Sequence, residues 1–593
     1  MPRCGALVLP LAALLVAVST AAAKTYERHD AVKVYANTVG PFNNPSETYP
    51  FYSLPFCTHS GRNKRAHHGL TEALSGARKR ETPYTITFQD NNNYVPLCSE
   101  PMTPEDLQAL KDAIEDDYFF EFWIDDLPLW GYLGESSNEN IIIAQSFQDA
   151  RVYLYRHMHF TLGYNGKHIV SANVSMDTTQ KEDITLTSMD LDVQFSYSVD
   201  WVHEPDLTYE TRMTRYVDSS FLPSSFEIHW LSIINSFVLV LLLTAFLTVI
   251  LMRILRRDFS RYMEVDDELA EEETGWKLIN GDVFRLPQHL NVFTALVGAG
   301  AQLLATLLLL LGCVLMGVFR ATKRGAVLTS AIILYSLCGA IGGFVSGRLY
   351  KQLRGTNWVW NIIGTAVAFP APLLVVFAWV NTVAWAHGST LALPAATVAV
   401  IISTYLFVDF PLTILGGVLG RNTTSEFEPP CRINKLVRQI PSEVPWYRHP
   451  LAMVFMSGFC SFTSIYIELH YLYSAVWGHR VYSLFGVLMI AVVMLIVVAS
   501  FITVALLYFQ LAREDHRWWW RSLVNGGATG LFMLGYAFFY YMHQSRFSGL
   551  LQLSVFFGYS AILSYAVFLA LGSVGFGSSF FFVNSLYSAV KLS

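Results

Sequence analysis

Charged side chains are scarce in this sequence, making up 15% of its 593 residues, whereas soluble domains carry roughly 25%. The deficit lies almost entirely after Trp230, while residues 24–229 have an ordinary globular composition. The net charge of −6 gives no argument for a basic nucleic-acid-binding surface. The sequence therefore predicts a globular N-terminal portion joined to a membrane region, with the lipid bilayer as a partner and no nucleic acid.

Cysteines are few as well, and the usual catalytic motifs are missing. Past the first 23 residues only Cys57 and Cys98 precede the membrane region, so one disulfide with a single possible pairing is predicted there. CxxC spacing, Gly-x-Ser-x-Gly, a phosphate-binding loop and HExxH are all absent. The pairs His67-His68 and His157/His159 are better interpreted as a solvated loop and a strand face than as metal ligands. We expect no enzyme activity, no cofactor and no metal.

The first 23 residues have the pattern of a secretory signal peptide. Arg3 supplies positive charge, residues 6–18 are apolar, and Ala21-Ala22-Ala23 offers a cleavage site before Lys24. The apolar core is shorter than the ~20 residues that span a bilayer. An uncleaved anchor is the alternative interpretation.

Residues 24–229 are predicted to form a β-rich lumenal domain with some helix. Thr103 followed by Pro104 is typical of a capped helix start, and predicts a helix over residues 104–117. Tyr164-Asn165-Gly166-Lys167 predicts a hairpin, because Asn-Gly tolerates the positive φ angles of a type I′ turn. Alternating apolar residues over residues 192–201 predict a strand with one buried face.

The membrane region is predicted to contain nine transmembrane helices: a first one at 230–251 and eight more within 291–575. Each apolar segment is long enough to cross ~30 Å of hydrocarbon. Starting from a lumenal residue 24, nine crossings make residues 252–290 an acidic cytosolic loop and residues 576–593 a cytosolic tail. Arginines and lysines concentrate in the predicted cytosolic segments, although Arg320, Lys323 and Arg324 crowd one predicted lumenal loop. The predicted fold class is thus a multi-pass α-helical membrane protein preceded by a β-rich (α+β) lumenal domain. The later segments lie near 291–318, 325–347, 358–383, 395–419, 451–475, 482–510, 523–543 and 551–575.

Two N-glycosylation sequons test this topology. Asn173-Val174-Ser175 lies in the predicted lumenal domain, where glycosylation is expected. Asn422-Thr423-Thr424 lies in a predicted cytosolic loop and should stay bare. A glycan at Asn422 would contradict the topology.

Small and aromatic residues mark packing surfaces in the predicted spans. Gly339, Gly343 and Gly347 repeat every four residues, as do Gly526 and Gly530, and such spacing lets helix backbones approach closely in lipid. General tolerance of glycine in membrane helices is the alternative. Tryptophans such as those of Trp518-Trp519-Trp520 are predicted to act as interfacial anchors. The neighbouring Glu514-Asp515-His516 trio is interpreted as part of an interfacial cytosolic loop, not a catalytic group.

Several blocks along the chain resemble the nonaspanins, the nine-transmembrane superfamily. The resemblance runs in the same order from about Asp30 to Lys591. It includes Glu227-Ile228-His229-Trp230, Gly281-Asp282-Val283-Phe284-Arg285, Arg438-Gln439-Ile440-Pro441 and Trp518-Trp519-Trp520-Arg521.

This resemblance implies a Golgi and endosomal membrane protein that acts in sorting, membrane localisation or surface delivery of other membrane proteins. Its implied partners are membrane-protein cargo, notably with glycine-rich spans, and vesicle coat components at the C-terminal tail. Tails of the family usually end in lysine, any residue, then aspartate. Here the end is Lys591-Leu592-Ser593, so the lysine is kept and the acid is lost.

Asp409 and Glu468 are the two acids placed well inside predicted spans. Acids at membrane depth are costly and are candidates for function. They allow a proton- or cation-coupled transporter as the alternative to sorting. Two further interpretations stay open: contact with cargo or lipid, and a structural acid paired inside the bundle.

Overall fold

The computed structural model describes residues 24–58, 70–74, 76–137, 151–186, 190–213, 275–318, 324–431, 433, 436–440, 445–446, 449–478 and 485–589, with scattered positions between 234 and 256. The predicted signal peptide, His67-His68 and the acidic run at 264–273 lie outside the described residues. So does Lys591, and most of the first predicted span is likewise outside them.

The N-terminal domain is built from short, mostly antiparallel strands. Its strands are β1 (Ala31–Val32), β2 (Val34–Pro41), β3 (Tyr49–Pro50), β4 (Arg80–Glu81), β5 (Ile86–Thr87), β6 (Asn92–Met102), β7 (Tyr118–Ile124), β8 (Leu127–Tyr132), β9 (Gly134–Ser137), β10 (Arg151–Tyr155), β11 (His157–Asn165), β12 (His168–Met176), β13 (Lys181–Asp183) and β14 (Leu191–His203).

Two larger sheets carry the core of this domain. One has the order β12-β11-β14-β6, in which β11 and β14 run parallel, and the other has the order β3-β2-β7-β8 with β4 also on β2. The apolar face of β14 is buried, including Val193, Tyr197 and Val199, because successive residues of a strand point to opposite faces; in the middle of the strand Ser196 and Ser198 on the other face are buried as well. Phe120 and Phe122 from β7 pack into the same apolar cluster. The predicted β-rich domain and its buried strand face are confirmed.

The helix and hairpin predictions hold with one change. Helix α2 (Pro104–Glu115), which follows the five-residue α1 (Leu70–Leu74), begins at Thr103 in a reciprocal capping box with Asp106. The hairpin between β11 and β12 pairs Asn165 with His168, so its loop residues are Gly166 and Lys167. Gly166 has a φ of +59° and Lys167 does not share the positive φ, so the turn is not the expected type I′.

The membrane region is a bundle of long apolar helices. They are α3 (Leu290–Leu315), α4 (Arg324–Gln352), α5 (Trp358–Ala368), α6 (Pro370–Ala386), α7 (Ala395–Thr404), α8 (Phe410–Asn422), α9 (Pro450–Thr463), α10 (Tyr466–Val476), α11 (Phe485–Leu511), α12 (Trp519–His543) and α13 (Leu550–Ala589).

Seven spans are long and apolar enough to cross a membrane in the described part of the chain. Helices α5 and α6 form one of them, as do α7 and α8. The pair α9 and α10 would add an eighth span, but it is bent by 70°. The predicted class, a β-rich domain followed by membrane-spanning helices, is confirmed.

Two span predictions need correction. The span expected at 451–475 is broken at Ser464, whose hydroxyl donates to the Ser461 carbonyl oxygen at 2.7 Å; such a bond competes with the helix ladder. The last span does not end near 575, because α13 continues to Ala589. Tyr587 is buried there, and its hydroxyl donates to the Trp276 carbonyl oxygen at 2.7 Å. Most of the predicted tail at 576–593 is therefore helix.

Candidate functional site

Asp409 lies at the centre of the fifth predicted span, where the helix changes its pitch. Residues Tyr405–Asp409 form a π turn between α7 and α8, and the Phe410 amide donates to the Tyr405 carbonyl oxygen. Single π turns occur frequently at functional sites. The turn ends just before Pro411, whose missing N–H leaves one backbone carbonyl without its helical donor. The Asp409 side chain is fully buried.

Gln302 of α3 is the hydrogen-bond partner of Asp409. Its Nε2 donates to Asp409 Oδ1 at 2.9 Å and to the Tyr335 carbonyl oxygen at 3.1 Å. Asp409 Oδ2 and Gln302 Oε1 are buried and accept no hydrogen bond from the residues that the structure describes. Two acceptor oxygens without donors at membrane depth are energetically costly, and a proton or a cation would satisfy them.

Gly339 of α4 provides the space for this carboxylate. A Cβ at position 339 would lie 2.6 Å from Asp409 Oδ1, closer than atoms can pack. The regular glycine spacing on α4 thus has a second use beside helix packing. No local pattern in the sequence indicates that Gln302 and Asp409, 107 residues apart, contact each other.

Glu468 occupies a different part of the bundle. It is buried in the first turn of α10, just after the break at Ser464. Leu469 and Tyr473 of the same helix pack in an apolar cluster with Tyr536 of α12. Asp409 and Glu468 share no hydrogen bond in the described residues, so the structure does not join the two acids into one path.

A polar cluster that the sequence did not reveal lies between α3, α4 and α5. Asn361 accepts from the Thr294 hydroxyl at 2.5 Å and donates through Nδ2 to Ser346 at 2.8 Å. The Thr365 hydroxyl donates to Ser346 at 2.7 Å. All four side chains are buried, and each contributes to a closed network, which stabilises a specific packing of helices. The spacing of Asn361 and Thr365, which are four residues apart and thus on one helix face, could have indicated this cluster.

The glycine faces are occupied by helices of the same chain. Cβ atoms at Gly343 and Gly347 would collide with the backbone of α8 at Thr413 and Gly417, and one at Gly526 would collide with α13. The close-packing interpretation of these glycines therefore fits the structure. Along these faces the space beside the glycines is filled by α8 and α13.

The N-terminal domain is seated on one end of the bundle through residues 44–48. Asn44 Nδ2 donates to the Ser548 carbonyl oxygen at 3.1 Å, and the Ser46 amide donates to Gln552 Oε1 at 3.0 Å. The Thr48 carbonyl oxygen accepts from the Thr390 amide at 2.9 Å. This segment thus contacts two interhelical loops at once.

The opposite end of the bundle is closed by the tryptophan run. Trp518 is fully buried, and its Nε1 donates to the Val283 carbonyl oxygen at 2.8 Å. Trp519 is buried too. The prediction that these two residues are interfacial anchors is wrong, because Trp518 contacts the segment after residue 275 and Trp519 packs against Phe293 of α3 and Phe576 of α13.

The Glu514-Asp515-His516 trio stabilises the same end through ion pairs. Glu514 pairs with Arg438 at 2.9 Å, and Asp515 pairs with Arg521 at 2.6 Å. Burial lowers the pKa of His516. The arrangement supports the interpretation of these residues as a loop.

In the N-terminal domain, Cys57 and Cys98 form a disulfide with a Cα–Cα distance of 6.2 Å. Asn173 is exposed on β12.

His157 is buried between Ser196 and Ser198, whose hydroxyls lie 2.8 and 2.9 Å from its ring nitrogens. His157 thus hydrogen-bonds to serine hydroxyls of the neighbouring strand β14, which agrees with its interpretation as a residue on a strand face.

Known proteins resemble the chain over nearly its whole length. The endomembrane protein 70 family profile matches residues 48–550. Transmembrane 9 superfamily member 4 of Arabidopsis thaliana is 44% identical over 567 residues, which cover 95% of this chain and 94% of the relative. Transmembrane 9 superfamily member 1 of Bos taurus is 40% identical over 580 residues, covering 96% and 94%. No solved structure matches.

Proposed function

The chain belongs to the endomembrane protein 70 family, and from that premise we propose that it sorts other membrane proteins in the Golgi and endosomes or aids their surface delivery. In this role the β-rich domain faces the lumen and the C-terminus faces the cytosol. The role requires recognition of a transmembrane helix, and no catalysis by the chain.

The sparse packing of the fifth span is the observation that carries this proposal. Only 11% of the central apolar window of Ala395–Asn422 is buried within the protein, against 61% for α12. One side of the span packs on the glycine face of α4. The other side exposes large apolar side chains, with Leu406 50%, Phe407 79% and Leu415 53% exposed.

This exposed face suits a glycine-rich transmembrane helix. Such a helix carries few large side chains, so lipid tails pack poorly against its exposed backbone. Helix association in lipid depends on close packing. Bulky side chains such as Phe407 can fill the gaps over its glycines. We therefore place cargo recognition on the outer face of the fifth span, and not in a glycine groove.

Depletion and rescue test the proposal. Loss of the protein should lower the surface level of glycine-rich membrane proteins, and the wild-type chain should restore it. A chain carrying Leu406→Ala and Phe407→Ala should fail to restore it at equal expression. Phe581→Ala is the matched control, because Phe581 is 74% exposed on α13, away from the fifth span. Full rescue by the double variant would reject the proposed face, and unchanged surface levels on depletion would reject the sorting role.

We place a coat-binding signal at Lys591, in line with the family pattern of the tail. Lys591→Ala should then move the protein from the Golgi towards later compartments, as scored by microscopy against Golgi and endosomal markers. A Ser593→Asp variant should strengthen Golgi residence, because it restores the terminal acid of the family pattern. An unchanged distribution of both variants would remove the tail from the proposal.

A proton- or cation-coupled transporter is the second candidate function. Asp409 Oδ2 and Gln302 Oε1, which accept no hydrogen bond from the described residues beside this π turn, favour it, since buried acceptors without donors can take a proton or a cation. Purified protein in liposomes should then show proton or cation flux that Asp409→Asn abolishes. Glu468→Gln serves as the comparison, because Glu468 lies outside this pair. Absence of flux for the wild-type protein would leave Asp409 with a structural role.

A further inference from the structure

A groove of about 500 Å³ lies between α3, α4 and α13. Its walls are almost wholly apolar. Along α3 the groove extends from Val297 to Leu308, which is about 16 Å at the rise of an α-helix. That length is close to half of the ~30 Å hydrocarbon core, so the groove spans about one leaflet. Leu304, Phe344 and Val574 are among the side chains that line it.

Only one end of the groove is strongly polar. Arg348 and Gln352 line it there, four residues apart and thus on the same face of α4. Gln352 is the last residue of α4, so this end is at the helix terminus, furthest from the N-terminal domain. The arrangement is apolar at membrane depth and cationic where the helix leaves the membrane.

Arg348 differs from its basic neighbours in having its charge available. Lys351 and Arg354 both pair with Glu426, at 3.4 and 3.3 Å. Arg348 is exposed and forms no ion pair with any described residue. A guanidinium presents its N–H donors in a fork that matches phosphate oxygens, and basic pockets between membrane helices bind anionic head groups.

We propose that this groove binds an anionic membrane phospholipid, with an acyl chain between α3, α4 and α13 and the phosphate on Arg348 and Gln352. The apolar walls favour a single hydrocarbon chain, and the guanidinium of Arg348 favours a negative head group.

Gly577 gives direct access to the groove for a test. It lies in the wall, and a Cβ there would meet no heavy atom within 4 Å. A side chain introduced at this position therefore starts in open space at the wall of the groove. Gly535 of α12 is a matched control, because it is also an exposed helical glycine with no atom within 4 Å of a Cβ.

The full-length protein in nanodiscs would be photolabelled with phosphatidylglycerol that carries a diazirine on its acyl chain, and in parallel with phosphatidylcholine carrying the same label. We expect labelled peptides from α3, α4 and α13 around the groove. Gly577→Trp should lower this labelling severalfold, and Gly535→Trp should leave it unchanged. Arg348→Gln should reduce the preference for phosphatidylglycerol by about tenfold, the effect of one charge-assisted hydrogen bond, while Arg348→Lys retains most of it.

Gly577→Leu, a smaller change, provides a second variant if Gly577→Trp unfolds. Equal groove labelling of wild type and Gly577→Leu at equal thermal stability would overturn the site. Equal labelling by the two lipids, unaffected by Arg348→Gln, would overturn the anionic head group. These outcomes do not depend on cargo delivery, so they can be distinguished from failure of the proposed sorting function.

Discussion

The backbone amide of Ser46 donates a hydrogen bond to Oε1 of Gln552 at 3.0 Å, joining the β-rich domain to the last helix across 506 residues of chain. Gln552 is completely buried. Together with Asn44 and Thr48, this contact fixes the domain on the bundle end. These contacts between the domain and the bundle are hydrogen bonds, which depend on direction more strongly than contacts between apolar surfaces do.

Replacing Gln552 tests how firmly the domain is seated. Gln552→Leu removes the acceptor and should raise the hydrogen-exchange rate of the Ser46 amide, with a loss of roughly 1–3 kcal/mol if that amide stays buried and unpaired. Exchange in β14 should not change, because that strand is far inside the domain core. Hydrogen–deuterium exchange with mass spectrometry of the full-length protein measures both. Unchanged exchange at residues 44–48 would show that Gln552 contributes little.

Glycine packing between α4 and α8 predicts a sharp dependence on position. Gly343→Leu should lower the melting temperature markedly, because overpacking costs typically 1–3 kcal/mol and the side chain would meet the backbone at Thr413. Gly312→Leu on α3 should leave stability nearly unchanged, since a Cβ there meets nothing within 4 Å. Thermal unfolding in detergent micelles compares the variants. Equal melting temperatures would contradict the close approach of the two helices.

His157 predicts a pH dependence of stability. Burial lowers the pKa of His157 below its ordinary value of 6.5, so the unfolded state binds a proton more readily than the folded state. The free energy of unfolding is therefore highest above about pH 6.5 and decreases as the pH falls through that value.

Thermal unfolding of the full-length protein from about pH 7.5 to about pH 5.5 should show this decrease over the range where the unfolded imidazole takes up its proton. The His157→Gln variant should lack the part of this decrease in stability that is due to His157. His168→Gln serves as the control, because His168 is only half-buried and contacts the Lys24 carbonyl oxygen instead of strand hydroxyls. An identical pH profile for wild type and His157→Gln would exclude the contribution of His157.

The two sequons predict a one-sided glycan pattern. Asn173 is exposed on the β-rich domain and Asn422 lies at the other end of the bundle, at the close of α8. With the domain in the lumen, Asn173→Gln should abolish the shift in gel mobility produced by removing N-glycans, and Asn422→Gln should not. A shift that depends on Asn422 would reverse the proposed orientation.

The sequence revealed those features that depend on local pattern. Long apolar runs located the described spans from α3 onwards, because every backbone polar group in lipid must be satisfied within its helix. Alternation found β14, and Thr103 marked the start of α2. These patterns act over a few residues and need no knowledge of what lies opposite.

Features that depend on distant partners were missed. The continuation of α13 follows from the burial of Tyr587 against Trp276, and the two are separated by 311 residues. The burial of Trp518 requires Val283, which is 235 residues away. The glycine repeats are visible in the sequence, but the sequence could not show that α8 and α13 pack against these glycines.

The unbroken length of α13 has a mechanical consequence. Forty residues at 1.5 Å each make a rod of about 60 Å, twice the thickness of the bilayer interior. Near one end its Gln552 contacts Ser46 of the N-terminal domain, and near the other its Tyr587 contacts Trp276. A single continuous helix therefore links the seat of the domain to the opposite end of the bundle, and a displacement of the domain at Ser46 would act on the same helix that carries Tyr587.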